Sequence, residues 1–260
     1  MPVELHSYQF GSEFSGFLNQ LEERHLADLR FSEVTRALRA LSSAYVERRE
    51  TALAGGAALD GAGKRAAFAL YYGPIHFLLV QHIIRELGLM PAAGTIVDLG
   101  CGTGVGGAAA ATATGASHVL GIDTHPWALD EARFTYRSLG LRGEARRGHA
   151  AKARFPPDTS LIVAAFVVNE LKDADRAVLL RELSTPRFRF PDPVSRRVLV
   201  IEPISRRISP WWPEWEKALV AAGGRSDEWK FRIDPPPIVK RLARAAGLHP
   251  EVLTARSLLL

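Results

Sequence analysis

The chain has 260 residues, 47% of them hydrophobic and 23% charged, enough for one sizeable core and an accessory segment. Lysine and arginine outnumber aspartate and glutamate by 33 to 28, a mild basic excess that permits a nucleic-acid partner without requiring one. A single cysteine, Cys101, excludes an intramolecular disulfide and any multi-cysteine metal or iron–sulfur site, and no metal is expected.

The first residues lack a basic stretch followed by an apolar one, so no secretory signal is expected. The longest apolar candidate, 77–84, is short and broken by Gln81 and His82. A cytoplasmic protein with no membrane partner is expected. Residues 1–93 read as a helical accessory segment. Leu18, Leu21, Leu26 and Leu29, then Val34, Leu38, Leu41 and Tyr45, recur at helical spacing. A small-residue stretch at 52–63 follows, then a helix over 64–87 interrupted at Gly73-Pro74.

From residue 94 strands and helices alternate. Strands are expected near 95–99, 118–122, 142–147, 160–167 and 197–202, with helices near 105–114, 126–139 and 172–184. Such alternation predicts a parallel sheet covered on both faces. The remainder holds a Trp-rich insertion at about 203–235, a helix near 236–246 and a final strand near 252–260. The second domain is thus 94–260.

The run Val97-Asp98-Leu99-Gly100-Cys101-Gly102-Thr103-Gly104-Val105-Gly106-Gly107 carries the most information. A strand that turns into a helix through glycines brings a ligand against the backbone and aims helix amides at it. Residues 102–107 satisfy the dinucleotide pattern G-x-G-x-x-G. Yet the strand ends in an acid, Asp98, followed by Gly100, Gly102 and Gly104. A carboxylate there suits a cationic ammonium and sulfonium better than a pyrophosphate. Asp123 closes the next strand 19 residues after Gly104, where it can accept from ribose hydroxyls.

This arrangement resembles the class I S-adenosylmethionine-dependent methyltransferase superfamily over 94–202. The resemblance implies an α/β, Rossmann-like sheet, mostly parallel with an antiparallel last strand, beside the N-terminal helical segment. It implies S-adenosylmethionine as cofactor, bound by Asp98, Gly100, Cys101, Gly102, Gly104, Asp123, Thr124, His149, Ala150 and Asn169. Asn169 and Glu170, after the fourth strand, are the candidate catalytic pair, the alternative being that they cap the next helix. Tyr71, Tyr72, Glu202, Trp211 and Trp212 are candidates for the acceptor pocket, with the Trp-rich segment as part of its cover; the alternatives are core packing for the tyrosines, core and surface packing for the tryptophans, and a bond inside the sheet edge for Glu202. His125 is a lesser candidate over the ribose.

A narrower likeness joins Tyr71-Tyr72-Gly73-Pro74, Val168-Asn169-Glu170-Leu171 with Arg176, and Leu199-Val200-Ile201-Glu202-Pro203. These are similar to the methyltransferase-like family that assists mitochondrial small-ribosomal-subunit assembly, and to its bacterial relatives. That likeness implies a ribosomal or rRNA role. The sequence departs from the family where it carries a cysteine cluster, for 211–232 has tryptophans and no cysteine. The acceptor is therefore expected to be an RNA or a small molecule, methylated by the enzyme. The alternatives are a cofactor-binding assembly factor without turnover and, more weakly, an NAD(P)-dependent oxidoreductase. Arg187, Arg189, Arg196, Arg197, Arg206 and Arg207 flank the fifth strand as either a solvated loop or an anion-binding surface.

Overall fold

The computed structural model describes residues 11–47, 59–89, 94–184, 196–205 and 207–260. Most of the small-residue stretch, Arg187, Arg189, Arg206 and the side chain of Tyr45 lie outside the described residues. The chain divides into two compact units: 1–78 with 230–253, and 79–229 with 254–260.

The first unit opens with α1 (Ser12–Leu26) and α2 (Phe31–Glu47), whose apolar positions recur every three or four residues. Phe14, Phe17, Leu18 and Leu21 of α1, with Val34, Leu38 and Leu41 of α2, are buried. α3 (Ala62–Ala67) runs into a π-helical turn (Phe68–Tyr72) and then α4 (Gly73–Glu86). The expected interruption at Gly73-Pro74 is thus a wide turn within one continuous helix, because the ring at position 74 removes an amide from the helical ladder. That corrects the length expectation. The run Ala62–Glu86 is 25 residues long and apolar enough to cross a membrane, but 78% of its apolar window is buried inside the protein, as in a core helix.

The second unit holds the strand–helix alternation: β1 (Thr95–Leu99), α5 (Val105–Thr114), β2 (His118–Asp123), α6 (Pro126–Ser138), β3 (Arg142–Arg147), β4 (Thr159–Ala165), α7 (Asp173–Leu183), β5 (Arg197–Glu202) and α8 (Trp212–Ala221). After it come β6 (Arg225–Arg232), α9 (Pro237–Ala246) and β7 (Val252–Leu259). The sheet order is β3-β2-β1-β4-β5-β7-β6. Strands β1 to β5 pair in parallel, and β7 runs antiparallel to β5 with Glu202 opposite Arg256. The expected reversed last strand is present, and it lies between β5 and β6, which explains its apolar Leu258. This is the Rossmann-like methyltransferase sheet.

Alternation along the strands decides which face each residue serves. Val97, Leu99, Leu120, Ile122, Ile162 and Val200 face one layer, packed on Leu179, Leu180 and Leu183 of α7. Trp211, Trp212, Trp215 and Leu219 join the same core. Asp98, one residue out of phase, faces α5 instead. That helix is small-residue throughout and buried from Val105 to Ala111, so it lies tight against the sheet. The chain leaves β1 toward β2 and β3, then crosses to β4. The switch in strand order therefore falls between β1 and β4, where open α/β sheets bind ligands at the carboxyl ends.

Candidate functional site

The loop from Gly100 to Gly104 turns β1 into α5. Gly104, with φ +80°, is the left-handed N-cap of α5. A Cβ there would meet Ala132 Cα at 2.8 Å and Tyr136 Cε1 at 2.9 Å, so only glycine fits. Gly102, with φ +51°, differs: nothing lies within 4 Å of where its Cβ would be. The middle of the loop thus presents bare backbone to open space. Beside it Thr103 is 3% exposed and its Oγ1 has no hydrogen-bond partner.

Asp98 is 2% exposed, and its Oδ2 accepts the Gly107 N–H at 2.6 Å. It ties the first turn of α5 to β1. Burial pushes its carboxyl up to about 7, opposed by the Gly107 amide and reinforced by the Asp123 charge. Asp123, at the tip of β2, accepts from Gly102 N at 2.9 Å through Oδ2 and from His125 N at 2.8 Å through Oδ1. Each oxygen keeps a further lone pair, so the carboxylate both shapes the loop and can accept again. Cys101, named above among the cofactor-binding residues, is buried. Burial raises its thiol well above the usual range. His125 spends its amide on Asp123 and sets its ring edge-on to Trp127. Thr124 is exposed beside them.

Beyond β3, His149 caps a short 3₁₀ turn by accepting from Ala151 N at 3.3 Å, and its Nε2 stands 3.7 Å from Asp175. Ala150 is buried beside it.

Beyond β4 the backbone is forced. Phe166 has φ +62°, a costly conformation for a bulky side chain, and its amide donates to Ile201 O. The following turn, Val168–Glu170, is gripped from two sides. Glu202, fully buried at the end of β5, accepts from Val168 N at 2.8 Å and Asn169 N at 3.2 Å through Oε1, and from the Asn169 side-chain amide through Oε2. Arg176 of α7 donates to Leu171 O at 2.5 Å. Asn169 Oδ1 in turn accepts from Trp211 Nε1 at 2.9 Å. Asn169 therefore does not cap α7, whose N-cap is Lys172.

At two places the structure shows the packing alternative. Glu202 bonds inside the protein, at the end of the sheet. It sits behind Asn169, and burial raises its carboxyl to about 8 against the lowering amides of Asn169 and Val168 and the charge of Arg256. The tryptophans pack in the core: Trp211, Trp212 and Trp215 are 9%, 4% and 1% exposed, Trp211 packs on the other two, and Arg256 lies 4.2 Å over the Trp212 ring. Their apolar area is worth more in the core than on a flap. Glu170 is solvent-exposed, yet protein atoms crowd its carboxyl enough for desolvation to push it up to about 7, with Asp123 adding. Tyr71 and Tyr72 belong to the first unit, within the π turn; Tyr71 is buried, and its ring is edge-on to Tyr72 at 5.1 Å.

Sequence reasoning missed Tyr136. Fully buried on α6, it lies where a Cβ on Gly143 would come within 2.2 Å of its ring and one on Gly121 within 2.6 Å of its hydroxyl. Glycines inside two adjacent strands were the available signal.

The comparisons with known proteins cover part of the chain. Residues 96–185 match the family model described as a methyltransferase domain. A search of curated proteins found no match. Among solved structures, the chain is similar to a SAM-dependent methyltransferase from Aquifex aeolicus, at 18% identity over 72% of this chain and 91% of that one, with a TM-score of 0.46. It is similar to the YcgJ protein of Bacillus subtilis at 14% identity, over 70% and 96%, with a TM-score of 0.45. It is also similar to geranyl diphosphate C-methyltransferase from Streptomyces coelicolor A3(2) at 15% identity, over 70% and 77%, with a TM-score of 0.43. No acceptor carries over from these three.

Proposed function

We propose that the chain is an S-adenosylmethionine-dependent methyltransferase, with the cofactor at the carboxyl ends of β1, β2 and β4. The observation that carries this is the Gly100–Gly104 loop. Its outer glycine is closed by packing, its central glycine opens onto free space, and Asp123 stands at its side with lone pairs to spare. The unpartnered, buried Thr103 hydroxyl adds a polar atom in want of a partner.

When bound, the cofactor supplies a methyl group on a sulfonium, ready for in-line displacement. The chain's own residues then bind and orient. Asp123 accepts from the ribose hydroxyls, the Gly102 backbone lies against the ligand, and the Ala150 region borders the adenine. Glu202 acts through Asn169, holding the Val168–Glu170 turn so that Asn169 and Glu170 wall the acceptor side. Much of methyl transfer is positioning and exclusion of water. Glu170, with its raised carboxyl, is placed to take a proton from an acceptor that must lose one.

Calorimetric titration with S-adenosylmethionine, S-adenosylhomocysteine and NADH tests the reading. Micromolar binding of the first two, weakened at least tenfold by Asp123→Ala, is expected. Binding of NADH alone would replace the methyltransferase with a dehydrogenase.

A further inference from the structure

The basic excess of this chain is concentrated in one place. Between residues 137 and 154 there are six basic side chains, Arg137, Arg142, Arg146, Arg147, Lys152 and Arg154, and one acidic, Glu144. Six cations against one carboxylate is a net of +5, the same as the formal net charge of all 260 residues. The rest of the chain is balanced.

All six are solvent-exposed. Arg146 pairs with Glu144 at 2.6 Å. The other five have no carboxylate partner among the described residues. Several cations elsewhere are matched, among them Arg133 with Asp130, Arg225 with Asp227 and Lys240 with Asp234.

Geometry gathers these charges on and around one sheet edge. β3 is the outermost strand of the sheet, paired only to β2. Its Gly143 and Ala145 face α6, where Tyr136 covers Gly143 and Arg133 donates to Ala145 O. Arg142, Glu144 and Arg146 therefore project from the opposite face, at a same-face repeat of about 7 Å. Arg147 alternates to the other face, in register with Asp123 at the carboxyl end of the sheet, and Lys152 and Arg154 follow as exposed cations in the segment after β3. A charged edge strand alone guards against edge-to-edge pairing, but a charge of either sign serves that purpose. Here one sign dominates, and it runs beyond the strand in both directions of the chain.

We propose that the β3 edge is a docking surface for the phosphodiester backbone of a nucleic acid. Five of the six cations are arginine, whose planar fork grips phosphate oxygens in pairs. A polyanion engages such a cluster mainly by releasing counterions, so the contact is read through its salt dependence. The surface stands whether or not the cofactor proposal does, and it goes beyond it by naming the class of macromolecule that reaches the site.

The test is fluorescence anisotropy with labelled 20-nucleotide RNA and DNA single strands of one sequence, from low to moderate salt. Arg142→Gln/Lys152→Gln/Arg154→Gln removes three charges from the cluster; Lys217→Gln/Lys230→Gln removes two exposed charges outside it. The wild type is expected to bind with affinity that falls steeply with salt. The triple variant should bind at least tenfold more weakly at low salt, with a slope shallower by about 2, at about 0.7 per lost contact. The outside variant should stay within about twofold. A preference between the RNA and DNA strands identifies the source of the backbone. Circular dichroism and S-adenosylmethionine calorimetry on the triple variant separate this surface from the cofactor site. Absence of wild-type binding, equal weakening in both variants, or binding only to phosphatidylserine vesicles would each overturn the proposal.

Discussion

Gly102 and Gly104, two residues apart, play different parts: Gly104 is closed in by packing, and Gly102 belongs to the proposed cofactor cradle. Alanine at either position must adopt a left-handed conformation, at about 1–2 kcal/mol. At Gly104 the new methyl also meets Ala132 and Tyr136 at 2.8–2.9 Å, inside the packed contact of α6 with the loop. Overpacking of that kind adds about 1–3 kcal/mol, giving about 2–5 in all. At Gly102 the methyl meets nothing within 4 Å, so the backbone term stands alone. With a urea slope of about 3 kcal/mol per molar, Gly104→Ala should lower the unfolding midpoint by about 1 M or more, and Gly102→Ala by about half that or less. Tryptophan fluorescence is the right probe, because all five tryptophans lie in the second unit. Binding should show the opposite order of cause. The Gly102→Ala methyl projects into the space assigned to the cofactor, so a folded Gly102→Ala protein should bind S-adenosylmethionine at least tenfold more weakly. Wild-type affinity in that variant would refute the cradle. Equal midpoints for the two variants would refute the packing argument.

Stability should fall as pH rises from about 4 to about 8. Asp98 and Glu202 have folded values of about 7 and about 8, above the ordinary 3.8 and 4.5, so the folded state holds more protons across that window. Their contribution is complete below pH 4 and gone above pH 8, at most about 5 kcal/mol for each. Urea unfolding at pH 5 and 8.5 checks it, and Glu202→Gln should flatten the upper half of the decline. A rise in stability over the same range would show that the amides around Glu202 outweigh its burial. Trp211→Phe keeps the ring packing but removes the donor to Asn169 Oδ1, a loss of about 1 kcal/mol in the same assay. No change would mean that water replaces the indole.

The sequence by itself determined the strand–helix alternation, the glycine turn and the acids that end β1 and β2. These are local: short apolar runs and glycine turns depend on the residues at hand. The strand limits at 95–99, 142–147 and 197–202 were legible for that reason. Tertiary structure alone decided how distant side chains share their hydrogen bonds. Glu202 and Asn169 are 33 residues apart, and only the pairing of β4 with β5 brings the carboxylate behind the turn it holds. Trp211 was an open choice between cover and core until α8 packed on the sheet, because a helix pattern does not say which neighbour it will meet. Asp98 carries the same lesson. Its type and place were plain, but its burial against Gly107 follows from α5 lying close on β1. Local propensity names the elements, whereas burial and partner choice come from contacts between residues far apart in the chain.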